Sequence, residues 1–273
     1  MKVSLIQMNS GTDKAANIAE ARRLMEAAIE AEAPDLLMLP ETWDYLGGTP
    51  ESQKAAAEDV PGGPAWKMCR QIASRHGVFV HAGSLTEKVA DEDRVHNTTV
   101  VFDREGHEVA RYRKIHMFDV ETPGERDYQE SDAIKPGREI VTYEADGVTV
   151  GCSICYDLRF PELYQALVRQ GAEVIALPAA FTKQTGMDHW EVLCRARAIE
   201  TQTYFLASAQ TGSHPHGNEE RECYGHSLAV DPWGHVVAKA SDGVGFVSTR
   251  IEPKRVAEVR AKMPVARQHV LDR

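Results

Sequence analysis

Short, continuously apolar runs alternate along this chain with longer stretches of helical periodicity. Residues 3–8 form one such run and predict a buried strand. Asp13 stands where a cap is needed for a helix over 14–33, in which Ile18, Ala21, Met25, Ala28 and Ile29 recur at helical spacing. Pro34 ends that helix. Residues 36–39 are a second run, stopped by Pro40 directly before Glu41. After a loop, Gly62-Gly63-Pro64 opens a second helix, which closes at Gly77. Residues 78–83 predict a third strand. Segments 97–102 and 107–112 flank Asp103-Arg104-Glu105-Gly106 and read as a hairpin that leads into Lys114. Residues 117–138 are rich in turn formers and charges and predict a long ordered loop. Residues 148–154 predict a strand with Cys155 at its end, and Pro161 starts a helix that stops at Gly171. A strand over 174–177 stops at Pro178. A helix over 188–201, a strand over 204–209 and a hairpin of 226–230 with 235–238 follow. A strand over 245–249 and a helix over 253–263 complete the body. The tail after Pro264, about residues 265–273, predicts an extended arm.

Strands and helices interleave from end to end, with no internal repeat and no Gly/Ser linker. The pattern predicts one α/β domain over residues 1–273, with antiparallel hairpins inside a doubly wound order. A net charge of −10 lacks the basic footprint of a nucleic-acid binder. No apolar run approaches the roughly 18–20 residues that span a membrane, and the run at 3–8 is too short for a signal-peptide core. Five cysteines, an odd number, with no secretory signal predict reduced thiols and a cytoplasmic setting.

Ligand crevices of open α/β sheets lie beyond the carboxyl ends of strands. Three predicted strands carry a reactive side chain there: Leu-Pro-Glu41, Tyr-Arg-Lys114 and Ser-Ile-Cys155. A carboxylate, an ammonium and a thiol suffice for nucleophilic acyl chemistry. The thiolate attacks a carbonyl or nitrile carbon, a cation stabilises thiolate and oxyanion, and the carboxylate shuttles the proton. Taken singly, each residue has a plainer reading: a solvated or capping glutamate, a surface lysine beside Arg111 and Arg113, a packed cysteine.

Together they resemble the nitrilase superfamily of carbon–nitrogen hydrolases. The resemblance runs from Met1 to nearly Arg273. It is carried by Leu39-Pro40-Glu41-Thr42, by Tyr112-Arg113-Lys114-Ile115-His116, and by Gly151-Cys152-Ser153-Ile154-Cys155-Tyr156-Asp157-Leu158-Arg159-Phe160-Pro161-Glu162. It implies Cys155 as nucleophile, Glu41 as general base and acid, and Lys114 as oxyanion stabiliser. It also implies a second glutamate in the loop after the lysine, which Glu130 fits. The backbone N–H of Tyr156 would complete the oxyanion site. The fold implied is a four-layer αββα sandwich, usually a homodimer joined by elements around the nucleophile and by the C-terminal arm. No metal or organic cofactor is implied.

Tyr156-Asp157 follows the nucleophile where nitrilases proper show Trp-Glu, which favours an amide over a nitrile. Arg159 fits a substrate carboxylate, as in the related carbamoyl-amino-acid hydrolases, or a structural pair with Asp157 or Glu162. The stretches 189–202 and 223–227 resemble the Nit branch, which comprises deaminated-glutathione amidases and ω-amidases. The expected activity is hydrolysis of a small carboxylate-bearing amide, deaminated glutathione foremost. An ω-amidase, an N-carbamoyl amide hydrolase, a nitrilase and a silent binding protein on this fold are the alternatives.

Three other motifs invite other classes. Cys152-x-x-Cys155 suggests a dithiol, but strand alternation puts Val148, Val150, Cys152 and Ile154 on one face and Cys155 on the other. His214-Pro-His216 with Cys223-x-x-His226 suggests zinc, yet reads better as a polar surface loop, as does Glu219-Glu220-Arg221-Glu222. Gly225-His-Ser227 lacks the second glycine and the helix of a serine nucleophile elbow.

Overall fold

In the computed structural model of this chain, the apolar runs become strands buried on both faces. Residues 1–120, 128–217, 219–268 and 270 are described. Among them one sheet has the order Gly245–Arg250, Lys2–Gln7, Leu36–Met38, Phe79–His81, Val95–Phe102, Leu85–Lys88, with Glu108–Arg113 also paired to Val95–Phe102. A second sheet has the order Val236–Lys239, Leu228–Val230, Tyr204–Ala209, Val174–Ala179, Val148–Cys152, Thr142–Ala145. The inner strands of each are parallel and the outer pairs antiparallel.

Strand alternation sorts the apolar residues into layers. Val3, Leu5, Leu36 and Met38 of the first sheet face Val150, Cys152, Val174 and Ala176 of the second. Their neighbours Ile6, Leu37 and Leu39 turn outward onto Met25 and Ala28 of helix Lys14–Glu32 and Met68 and Ile72 of helix Pro64–His76. On the other side Ile175, Leu177, Phe205 and Ala207 pack on Leu163 and Leu167 of helix Pro161–Arg169 and Trp190, Cys194 and Ala198 of helix Lys183–Thr201. The order is helix, sheet, sheet, helix: the expected four-layer αββα sandwich.

Local signals set most boundaries. The Asp13 carboxylate accepts from the Ala16 N–H at 3.0 Å, and Gly77 closes its helix at φ +61°. Several elements depart from expectation. The loop before Gly62 contains a short helix, Pro50–Ala56, started by a Thr49/Ser52 capping box. Strand Val174–Ala179 runs through Pro178, and helix Lys183–Thr201 starts five residues before the expected Asp188. The polar stretch expected as a loop pairs as a hairpin, Thr211–His216 with Glu219–Tyr224. The expected loop 117–138 carries a short strand pair, Asp119–Val120 with Tyr128–Gln129, and the turn of helix Glu130–Ala133. Residues 121–127 of that loop lie outside the described residues. Of the expected arm, Val265–Arg267 is a 3₁₀ turn, and residues 269 and 271–273 are likewise outside.

Topology brings the reactive residues to one rim. Glu108–Arg113 is antiparallel to Val95–Phe102, which is antiparallel to Phe79–His81. It therefore runs in the same direction as Leu36–Met38, and both strands end on the same edge. Thr211 N–H donates to Met8 O at 2.7 Å and Gln210 Nε2 to Glu41 O at 3.0 Å, joining the two sheets at that edge.

Candidate active site

Glu41 follows strand Leu36–Met38 and is 4% exposed. Its turn is braced closely. Ser84 N–H donates to Pro40 O at 3.1 Å and Thr42 N–H to Ser84 Oγ at 3.0 Å. Gly83, at φ +56°, comes so near that a Cβ there would sit 2.0 Å from Pro40 O. Three donors converge on the carboxylate: Asn97 Nδ2 (2.8 Å) and Lys114 Nζ (3.1 Å) on Oε1, and the Ala180 N–H (2.7 Å) on Oε2.

Lys114 is not a surface charge. It is 2% exposed, and its ammonium also donates to both oxygens of Glu130, at 2.9 and 2.8 Å. Burial pulls its pKa down, but the carboxylates of Glu130 and Glu41 outweigh that and hold it well above an ordinary lysine. The cation is therefore permanent. Glu130 is fixed by a 2.6 Å bond from the Phe118 N–H. Burial raises its pKa, Lys114 opposes, and the Glu41 charge adds to the rise.

Cys155 lies three residues past strand Val148–Cys152, at φ +44°, on the first residue of a 3₁₀ turn, Cys155–Arg159. That left-handed backbone costs free energy for a non-glycine residue. It is held by Asp157, a fully buried carboxylate that accepts from Tyr112 Oη (2.6 Å), Ile154 N–H (2.9 Å), His116 N–H (3.1 Å) and His116 Nδ1 (2.7 Å). Burial pushes the Cys155 thiol well above its usual pKa, and the Glu41 charge adds to this. Lys114 and the Ala180 N–H only partly oppose. The thiol therefore rests protonated beside the Glu41 carboxylate, rather than as the thiolate that a nearby lysine alone would favour. This arrangement can deprotonate the sulfur in step with attack.

The first turn of a helix leaves N–H groups without intrahelical acceptors, so the Tyr156 N–H beside the sulfur is available to an oxyanion. The Tyr156 ring packs edge-on against Phe118 (5.0 Å) and Phe160 (5.4 Å). Arg159 lies over Tyr156 and Phe181, at 5.8 and 5.3 Å from the ring centres. Neither anticipated structural pair forms: Asp157 is used by four other donors, and no carboxylate lies within ion-pair distance of Arg159 among the described residues.

All six residues singled out in the sequence, Glu41, Lys114, Glu130, Cys155, Tyr156 and Arg159, line one cleft of about 290 Å³. Asn97, the Ala180 N–H and Asp157 were missed. Asn97 and Ala180 act through positions that only strand pairing sets. The hairpin was also missed: His214, His216, Arg221 and Cys223 line the same cleft. The zinc grouping does not assemble. His226 Nδ1 is bonded to Tyr224 O at 2.9 Å, and among the described residues only Asp103, Glu105 and His107, in a surface turn, group at ligand spacing. The dithiol does not form either; all five cysteines are free, and Cys152 faces the core between the sheets, its pKa pushed up to about 12 by burial.

Residues 2–261 match the carbon–nitrogen hydrolase family. A protein of a Synechocystis species named deaminated glutathione amidase is 40% identical over 268 residues, which cover 97% of this chain and 96% of that protein. The crystal structure of the Caenorhabditis elegans NitFhit protein superposes with a TM-score of 0.91 at 36% identity, over 98% of this chain and 65% of that one. That of Saccharomyces cerevisiae Nit3, a member of the nitrilase superfamily, gives 0.87 at 28% identity, over 98% and 96%. With the sandwich, the clustered Glu41, Lys114 and Cys155 and a match over nearly its whole length, this chain belongs to the carbon–nitrogen hydrolase family.

Proposed function

We propose that this protein is a cysteine-dependent amidase that hydrolyses deaminated glutathione at the amide joining its 2-oxo acyl part to cysteinyl-glycine. The observation that carries the chemistry is the buried Glu41–Lys114–Glu130 network set against the Cys155 thiol. The name of the cyanobacterial relative supports the substrate.

In the first half-reaction Glu41 takes the Cys155 proton as sulfur attacks the amide carbon. The C=O π pair moves onto oxygen, which meets the Lys114 ammonium and the Tyr156 N–H. Glu41 then gives its proton to the amide nitrogen, the C–N bond breaks, and the amine leaves. In the second half Glu41 takes a proton from water, hydroxide adds to the thioester carbon, and the C–S bond breaks as Cys155 regains a proton. Glu130 is a positioning residue: it holds Lys114 without contacting the sulfur. Arg159, at the cleft wall without a carboxylate partner among the described residues, suits the carboxylate of the 2-oxo acyl part.

The test compares deaminated glutathione, read by cysteinyl-glycine release, with 2-oxoglutaramate, read by ammonia, against Cys155→Ala as blank. Preference for the first supports the proposal. Preference for the second makes the protein an ω-amidase. Silence on both, with Cys155 still reactive, removes the substrate but not the chemistry.

Two lesser readings accompany this one. Met187, Val192 and Ile199 are exposed on the outer helix, and Gly234, beside exposed Trp233, packs against Ile199. This apolar face supports a homodimer, and a monomer in sedimentation would refute that. Five free thiols support a cytoplasmic location.

A further inference from the structure

The hydrolysis passes its protons through the Glu41 carboxylate, and the groups around that carboxylate decide which oxygen carries them. An ionised carboxylate offers about four acceptor sites in its plane, two on each oxygen. Three are taken here: Asn97 Nδ2 at 2.8 Å and Lys114 Nζ at 3.1 Å both donate to Oε1, and the Ala180 N–H at 2.7 Å donates to Oε2. The remaining site is on Oε2. The two oxygens face different sheets. Asn97 belongs to strand Val95–Phe102 and Lys114 follows strand Glu108–Arg113, both in the first sheet. Ala180 follows strand Val174–Ala179, which pairs in parallel with Val148–Cys152, the strand that leads to Cys155. The open site therefore lies on the oxygen turned toward the sheet that carries the nucleophile.

Asn97 is placed for its contact with Glu41. It is 3% exposed. Its main-chain O accepts from the Lys114 N–H at 2.9 Å, which extends the ladder beyond the Thr98–Arg113 pair. On the same strand face Thr99 Oγ1 donates to Gly83 O at 2.6 Å, behind the turn that presents Glu41. The Asn97 amide donates to Glu41, while its buried Oδ1 has no hydrogen-bond partner among the described residues. A buried acceptor without a partner costs stability. Turning the amide over does not relieve that cost, because Oδ1 would then meet a carboxylate oxygen. The side chain is thus held in an unfavourable setting by its bond to Glu41.

We propose that Asn97 is a positioning residue for proton transfer: with Lys114 it closes Oε1 of Glu41, so that every proton of the reaction passes through the open site of Oε2. The Cys155 proton moves from sulfur to Oε2 as the bond from sulfur to the amide carbon forms, and from Oε2 to the leaving nitrogen as the C–N bond breaks. In the second half a water proton moves to Oε2 as oxygen adds to the thioester carbon, and from Oε2 to sulfur as the C–S bond breaks. This role rests on the Glu41–Cys155 chemistry set out above and not on the choice of substrate.

The test uses p-nitrophenyl acetate, an activated ester that reads attack by Cys155 and hydrolysis of the resulting thioester whatever the natural amide. Asn97→Leu and the smaller Asn97→Ser remove the donor and keep the main-chain bond to Lys114; circular dichroism identifies the variants that fold. The other charged or titratable groups facing Glu41, Lys114 with Glu130 behind it and the thiols of Cys155 and Cys223, are the same in each protein. A carboxylate that loses one donor holds a proton more tightly, so the acid limb of the burst rate should move up by about 1–2 pH units. Asn97→Asp, which keeps the shape and replaces the donor by a second carboxylate, should move it further. Above that limb the steady rate, set by thioester hydrolysis, should fall about 10-fold in Asn97→Leu and Asn97→Ser, as protons are also taken on Oε1, away from the sulfur. A residue that only fills space moves neither quantity. An acid limb that stays within about 0.3 pH unit of wild type overturns the proposal, and so does an unchanged steady rate above the limb. If the wild type releases no more p-nitrophenol than Cys155→Ala, the Glu41–Cys155 chemistry itself fails and takes the role of Asn97 with it.

Discussion

Asp157 is the residue whose replacement tests most sharply how the nucleophile is held. Its two oxygens accept four hydrogen bonds: Tyr112 Oη and Ile154 N–H on Oδ2, and the N–H and Nδ1 of His116 on Oδ1. Asp157→Asn keeps the shape but offers only one oxygen. Whichever way the amide is placed, its NH₂ faces one backbone N–H that can only donate, while Tyr112 Oη or His116 Nδ1 can turn to accept, so one of the four bonds is lost. At about 1.5–3 kcal/mol for each bond to a carboxylate, the expected loss is about 1.5–3 kcal/mol. That is a sizeable part of the roughly 5–15 kcal/mol that stabilises a domain. Tyr112→Phe also removes one bond and should cost a comparable amount. The double variant should lose less than the sum, because the two share a contact. Urea unfolding measures each value. Ile154 and Asp157 bracket Cys155, so kcat should also fall at least about 10-fold in protein that remains folded, as expected for a misplaced nucleophile. An Asp157→Asn protein within about 1 kcal/mol of wild type, with kcat retained, would refute the account of how Cys155 is held at φ +44°.

Two further outcomes are expected. Glu41→Gln should cut turnover by about 10²–10⁴-fold as the proton acceptor is lost, yet speed iodoacetamide labelling of Cys155 near pH 8, because the Glu41 charge raises the thiol pKa; unchanged or slower labelling counts against that electrostatic reading. Asp44, fully buried and salt-bridged to Lys14 at 2.9 Å, has its pKa raised by burial from 3.8 to about 6, so the folded state binds this proton more tightly than the unfolded one. Its contribution to stability is present below about pH 4 and lost as pH rises through about 6, a change of about 3 kcal/mol; measured from pH 4 to 7, the stability difference between wild type and Asp44→Asn should follow that slope, and a flat difference would show that Asp44 titrates as it does unfolded.

Much of this molecule could be read from its residues in order. Unbroken apolar runs such as 36–39 and 174–177 belong to strands covered on both faces, and their alternation already separates Leu36 and Met38 from Leu37 and Leu39. Asp13, Pro64 and Gly77 mark helix ends because caps act over one turn of chain. Glu41, Lys114 and Cys155 were legible because each lies within three residues of a strand's end, on motifs that travel together. What local pattern could not decide depends on pairing between distant segments. The hairpin Thr211–Tyr224 is polar on both faces and has no apolar alternation to betray it; it forms because its ends are tied to Phe181 and Gly48. Asn97 and the Ala180 N–H reach Glu41 only after strands some 56 and 139 residues away are in register. The state of the Cys155 thiol was likewise a matter of tertiary structure. A lysine in a motif argues for a thiolate, but burial beside the Glu41 carboxylate outweighs it, since desolvation and like charge act through space and not along the sequence.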